Sequence, residues 1–88
     1  MAFYVYMLKS ISAGKSKTYV GYTNNLKERI KRHNTGKGAK FTRGRKWTLI
    51  YKENFKSKKE AISREYYIKK NRTLRNKIKY ENINTSTL

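Results

Sequence analysis

The chain has no cysteine and no proline, a single histidine, and only 5 acidic residues against 23 lysines and arginines. Without cysteine there can be neither disulfides nor thiolate zinc sites, and one histidine cannot build a multi-histidine centre. Any metal must therefore sit on oxygen. Long apolar runs are also missing. The N-terminal apolar stretch is too short for a membrane span or a signal peptide and has no basic flank ahead of it, so the expected location is the cytoplasm. Nor is there a long apolar amphipathic helix to suit a membrane surface.

What is present is positive charge. The formal net charge is +18 on 88 residues, and such a field repels itself within the folded chain unless an anionic partner offsets it. A genome rich in A and T inflates Lys, Asn, Ile and Tyr, but it does not explain the scarcity of acids. The expected partner is nucleic acid, DNA ahead of RNA. The length sets one domain with a small core, expected over 1–80, followed by a frayed tail at 81–88.

Three strands and three helices can be read along the chain, giving an α+β order of β-β-α-β-α-α. "FYVYML" and "TYVGY" are aromatic and β-branched, and read as a hairpin joined by a longish loop, "KSISAGKSK". Phe3, Val5 and Met7 share one face of the first strand and Tyr4, Tyr6 and Leu8 the other. Neither face is polar, which predicts an interior strand covered on both sides. "TNNLKERIKRHN" starts like a capped helix, with Asn25 and Glu28 in capping-box spacing. A Gly-rich basic loop at 34–46 precedes "WTLIYKE", whose alternating bulky residues predict the third strand. Ser57 and Glu60 cap a second helix, and Leu74 and Ile78 suit a short third one.

Two helices carry charged or titratable side chains where apolar ones belong. In the first, Leu26 and Ile30 define the inward stripe, and helical spacing puts Arg29 and His33 on it. Inward charge is costly unless it is paired or placed at a cleft floor. Arg29 could instead snorkel past the sheet edge, and His33 could be a satisfied histidine near a helix C-terminus. In the second helix, Glu65 lies between the buried positions Ala61 and Ile68. Of the five carboxylates, Glu28 and Glu60 serve caps, Glu53 ends a strand and Glu81 is near the tail; Glu65 alone has no local duty. It is either an ion partner for Arg29 or Arg72, or a ligand for hydrated Mg²⁺ or Mn²⁺ whose other positions are water and phosphate. The two can alternate, with Arg29 in the site when metal is absent.

Tyr6 closing "YVY", the "YVG" of Tyr19, Val20 and Gly21, and then Arg29, His33 and Glu65 in that order resemble the GIY-YIG nuclease family. The similarity spans residues 3 to about 80 and is closest to a subgroup of small single-domain bacterial proteins. It implies a three-stranded antiparallel sheet flanked by helices, and phosphodiester hydrolysis with one divalent cation. In the implied site Tyr6 and Tyr19 face the scissile phosphate, Arg29 braces it, His33 assists proton transfer and Glu65 holds the metal. Asn76 corresponds to a family asparagine, with Asn71 competing for that place. Valine replaces isoleucine in both motifs. Tyr4 replaces the first motif's glycine, a change expected to narrow the approach to the cleft.

A phenol titrates near ~10, so a tyrosine base needs positive neighbours that favour its phenolate; metal, Arg29 and the net field would supply them, for Tyr6 or for Tyr19. Lys37, Lys40, Arg43 and Arg45 in the Gly-rich loop are expected on the nucleic-acid backbone. Phe41 and Trp47 could stack on an unpaired base, Trp47 being better suited to the core. The leading expectation is a metal-dependent endonuclease acting on structured or damaged DNA. A non-enzymatic basic nucleic-acid-binding protein with the same fold is the alternative, and a module of a larger repair complex is a third reading.

Overall fold

A computed structural model describes residues 2–12, 14–38 and 40–86. The elements are β1 (Phe3–Ser12), β2 (Lys15–Thr23), α1 (Leu26–Asn34), one 3₁₀ turn (Lys40–Thr42), β3 (Thr48–Phe55), α2 (Lys58–Lys70) and α3 (Arg72–Ser86). The three strands form an antiparallel sheet in the order β2-β1-β3. The α+β class, the interior position of β1 and the three helices are as the sequence predicts.

The hairpin differs from expectation. Ser12 pairs with Lys15, so residues 13 and 14 alone connect the strands, and "KSISAGKSK" is mostly ladder rather than loop. Gly14 has φ 76, a backbone region open to glycine at no steric cost and typical of such tight turns. The polar composition marked an exposed end of the hairpin, not its loss of pairing.

Both helix starts are capped as their spacing predicts: the Asn25 side chain accepts from the Glu28 N–H, and Ser57 from the Glu60 N–H. Each satisfies a backbone donor that has no partner inside its helix. Asn71 both ends α2 and starts α3, its N–H donating to the Ile68 carbonyl and its Oδ1 accepting from the Leu74 N–H. α3 continues to Ser86, further than the short helix expected. Of the expected frayed tail, residues 87 and 88 lie outside the described residues, as do the side chains from 81 onward. No helix among the described residues is long and apolar enough to cross a membrane.

The alternation along β1 builds two cores. Val5 and Met7 pack with Val20, Ala61, Ile68 and Ile78 under α2 and α3. Tyr6 and Leu8 pack on the opposite face with Trp47, joined by Tyr19, Leu26, Ile30 and Leu49 under α1. Each fully buried aliphatic side chain contributes about 1.5–3 kcal/mol relative to exposure. Trp47 is in the core, its indole N–H donating to the Thr42 carbonyl at 2.9 Å. Asn34, at the end of α1, accepts from the Trp47 N–H and donates to its carbonyl, tying α1 to the start of β3.

β3 does not alternate simply. Met7 pairs with Tyr51 but Leu8 pairs with Leu49, which leaves Ile50 as an extra residue in a β-bulge. Ile50 and Tyr51 consequently both pack toward the α2–α3 core, while Leu49 packs toward α1. A bulge re-aims side chains in this way by setting two residues opposite one. Further along β3, Glu53 holds Arg64 of α2 through two bonds of 2.8 and 2.9 Å and accepts from the Tyr51 hydroxyl. Glu53 therefore does more than end a strand, since this clamp fixes how α2 is rotated over the sheet.

Candidate active site

The cleft forms at the free edge of the sheet, around β2. Cross-strand pairing sets Tyr6 opposite Gly21 and Leu8 opposite Tyr19, so both tyrosines lie on the α1 face. Gly21 is required there: a Cβ would meet the Tyr6 hydroxyl at 2.6 Å and its ring carbon at 2.8 Å. α1 brings Arg29 to the same opening, and α2 brings Glu65 from the other side of the sheet edge. Together Phe3, Tyr6, Tyr19, Gly21, Arg29 and Glu65 surround a cleft of about 540 Å³, lined also by Lys58, by Thr23 at the end of β2 and by Asn24.

His33 stands behind this opening. It is fully buried, its Nε2 2.8 Å from the Tyr6 hydroxyl and its Nδ1 2.9 Å from the Thr42 hydroxyl. Its ring lies 4.9 Å from that of Tyr19, centroid to centroid. Gly38 crosses His33 closely, for a Cβ there would come within 2.5 Å of Nδ1. Burial, and then the positive charge of Arg29, hold His33 below its ordinary pKa, so it is a neutral imidazole near pH 7. One ring nitrogen is then a donor and the other an acceptor. With Nδ1–H donating to Thr42, Nε2 accepts from Tyr6.

The protein groups around Tyr6 favour its neutral phenol. Burial pushes its phenol well above the ordinary value; Tyr19 adds to this, while the Arg29 charge pulls down and Glu65 pushes up. Arg29 does favour the phenolate, as expected, but loss of hydration outweighs it. Tyr6 is therefore a protonated phenol bonded to a neutral imidazole.

Among the described residues, Glu65 is the one carboxylate lining the cleft. Its ion partner is Lys69, one turn later at 3.4 Å, in place of the Arg29 or Arg72 expected. No cluster of three or more His, Asp or Glu side chains occurs among the described residues. A single carboxylate nevertheless suits Mg²⁺ or Mn²⁺, which keep several waters and take the rest of their ligands from substrate. The cleft has room for that shell, so the donor set fits.

The remaining candidates separate. Lys37, Lys40 and Arg43 are exposed, whereas Arg45 is half-buried and tethered to the hairpin, its Nε donating to Ser10 Oγ at 3.2 Å and a terminal nitrogen to the Lys15 carbonyl. Asn76 is exposed on α3, and neither it nor Asn71 lines the cleft. Tyr4 is not among the residues lining the cleft; it lines an adjoining groove against the start of α1, beside Asn25, Leu26 and Ile30. Sequence reasoning missed Thr42, Asn34 and Gly38, which act on His33 or its helix.

A family model described as the GIY-YIG catalytic domain matches residues 2–79. The chain belongs to the GIY-YIG family. Among its relatives, the UPF0213 protein CPE1444 of Clostridium perfringens is 57% identical over 68 residues, 76% of this chain and 70% of that protein. The UPF0213 protein SpyM3_1077 of Streptococcus pyogenes serotype M3 is 44% identical over 78 residues, 88% and 82% of the two chains. The solution NMR structure of the UPF0213 protein BH0048 from Bacillus halodurans superposes with a TM-score of 0.53 at 40% identity, covering 94% of each chain. GIY-YIG proteins are a nuclease family, generally dependent on a divalent metal and suited to nucleic acid. The GIY-YIG motifs stand here as Tyr4-Val5-Tyr6 and Tyr19-Val20-Gly21, on paired strands β1 and β2.

Proposed function

We propose that this protein is an endonuclease that hydrolyses phosphodiester bonds in DNA. One observation carries the reading: a Tyr6–His33–Thr42 hydrogen-bond chain ends at a cleft that also presents Tyr19, Arg29 and Glu65. A structural histidine would need only partners for its nitrogens. Here one of those partners is a phenol at the floor of an open cleft in a strongly cationic domain.

Arg29 binds the scissile phosphate and opposes the charge that grows on its oxygens in the transition state. Tyr19, half-buried on the edge strand, orients a phosphate oxygen through its hydroxyl. Tyr6 acts as a relay rather than as a standing phenolate. It accepts a proton from the attacking water while its own proton passes to His33 Nε2; the water oxygen forms a bond to phosphorus, and the opposite P–O bond breaks with its electron pair going to the departing oxygen, which takes a proton from solvent. The neutral imidazole is what makes the relay work, and Thr42 holds it in the accepting tautomer. Glu65 would hold Mg²⁺ or Mn²⁺, which when bound supplies Lewis-acid stabilisation of phosphoryl charge.

The test is cleavage of single-stranded, duplex, flapped and branched DNA, and of RNA, with Mg²⁺ or Mn²⁺. Wild type is compared with Glu65→Ala and His33→Ala. Metal-dependent cutting lost in both variants supports the mechanism; cutting that survives Glu65→Ala removes that residue from it. No cutting by any form, with binding intact, assigns the protein to the non-enzymatic class. Cutting that needs an added partner assigns it to a larger complex.

A further inference from the structure

A second groove continues from the cleft along β2. It encloses about 320 Å³ and is lined by Thr18, Tyr19, Val20, Phe41, Lys69 and Arg75. Tyr19 is common to both spaces, and Lys69 reaches back to Glu65, so the two form one track. Phe41 forms one wall and is 53% exposed. A single exposed aromatic needs no explanation by itself. This one, however, is stacked on Tyr19 at 6.3 Å with an interplanar angle of 25°, and the Lys17 ammonium lies 5.5 Å from its ring centroid.

The fold also sets where Phe41 stands. It sits in the 3₁₀ turn between Lys40 and Thr42, and Thr42 is fully buried against His33. The fold anchors one residue of the turn in the interior and leaves the next outside. An aromatic surface fixed in advance loses little entropy when a flat partner settles on it. The cations around it, Lys17, Lys40, Lys69 and Arg75, suit the phosphates on either side of such a partner.

We propose that Phe41 is a stacking platform for an unpaired nucleobase next to the scissile phosphate, so that the substrate is DNA single-stranded at the cut. A base inside a duplex has both faces covered by its neighbours and cannot stack on a protein ring without being unpaired. The inference rests on the nuclease reading for its position, but its test is independent of catalysis.

The protein background is Glu65→Gln, which is not expected to cut. The probes are a short single-stranded DNA carrying 2-aminopurine and the same sequence fully paired. Binding is followed by anisotropy and by quenching of 2-aminopurine fluorescence. Phe41→Ala is expected to weaken single-strand binding about 5- to 100-fold and to abolish the quenching, with duplex affinity within about twofold. Phe41→Trp retains both signals. Tyr66→Ala removes an aromatic that is equally exposed, on the outer face of α2, and changes neither. If Phe41→Ala does not fold, as judged by circular dichroism, Phe41→Leu takes its place, since it keeps apolar bulk without a π face. Equal losses on single strand and duplex, or no loss on single strand, overturn the platform. Quenching that depends on Phe41 in a protein whose wild type never cuts supports the platform and removes the hydrolytic reading alone.

Discussion

Replacing Gly21 by alanine adds one carbon at the point where the site is tightest. The new Cβ would lie 2.6 Å from the Tyr6 hydroxyl, 2.8 Å from its ring carbon and 3.1 Å from a Tyr19 ring carbon, where ordinary contact begins at 3.4 Å. Tyr6 must move by about 0.8 Å to clear it, the difference between 3.4 and 2.6. Tyr6 cannot easily do so, because it is 1% exposed and its hydroxyl holds His33 at 2.8 Å. Overpacking of this kind costs about 1–3 kcal/mol, and a reacting group misplaced by about 1 Å costs about 100-fold in rate. For a domain of this size each ~1 kcal/mol lowers Tm by about 4–8 °C. Urea titration and cleavage of a fluorescent oligonucleotide measure the two effects. The double variant with Tyr6→Phe is the sharper measurement, since it removes the nearest atom. Phenylalanine alone orphans His33 Nε2, at about 1–3 kcal/mol, but in that background the alanine should cost about 1 kcal/mol less than it does alone. Gly14→Ala, in open space at φ +76, should cost stability through backbone strain and leave cleavage unchanged. Strict additivity of Gly21→Ala and Tyr6→Phe would refute the idea that Gly21 exists to seat the Tyr6 hydroxyl.

Other outcomes follow from the same geometry. Thr42→Val preserves shape but leaves His33 Nδ1 unpaired; unfolding free energy should fall by about 1–3 kcal/mol, and cleavage should fall with it as the imidazole loses its fixed tautomer. The His33 pKa is depressed on folding, so the unfolded chain binds the proton first: stability should decline as pH drops below about 6.5, while cleavage should persist to lower pH, until the folded imidazole itself is protonated; a pH series of urea midpoints beside a pH–rate profile would show both. The Tyr6 pKa is raised, which reverses the sign: stability should decline above about pH 10 as unfolded Tyr6 ionises and folded Tyr6 does not. Glu53→Gln should cost about 1 kcal/mol, as expected for a half-exposed bidentate pair, and should lower cleavage by letting α2 rotate, with Glu65 the residue displaced.

The fold was legible because local rules agree with one another. Asn25 and Ser57 announce their helices, and the two apolar faces of β1 announce a strand with cover on both sides. Arg29, His33 and Glu65 stood out as polar residues on stripes that should be apolar, and the cleft is where those stripes meet the sheet edge. What the sequence hid depends on pairing across distance. "WTLIYKE" reads as simple alternation, yet Ile50 is bulged; composition cannot say which residue of a run loses its partner. Thr42 looked like one more polar residue in a basic loop, because its value lies in a bond to a histidine on another element. The state of Tyr6 was hidden for a related reason. Positive neighbours can be counted in a sequence, but the water that burial removes cannot.

The assembly of the cleft from two separate cores has a consequence for biosynthesis. Tyr6, Tyr19, Arg29 and His33 all lie in the first 33 residues and belong to the α1 side, whereas Glu65 is carried by α2 and pinned through β3. A growing chain therefore leaves the ribosome with the cleft lined on one side only until α2 has emerged and docked.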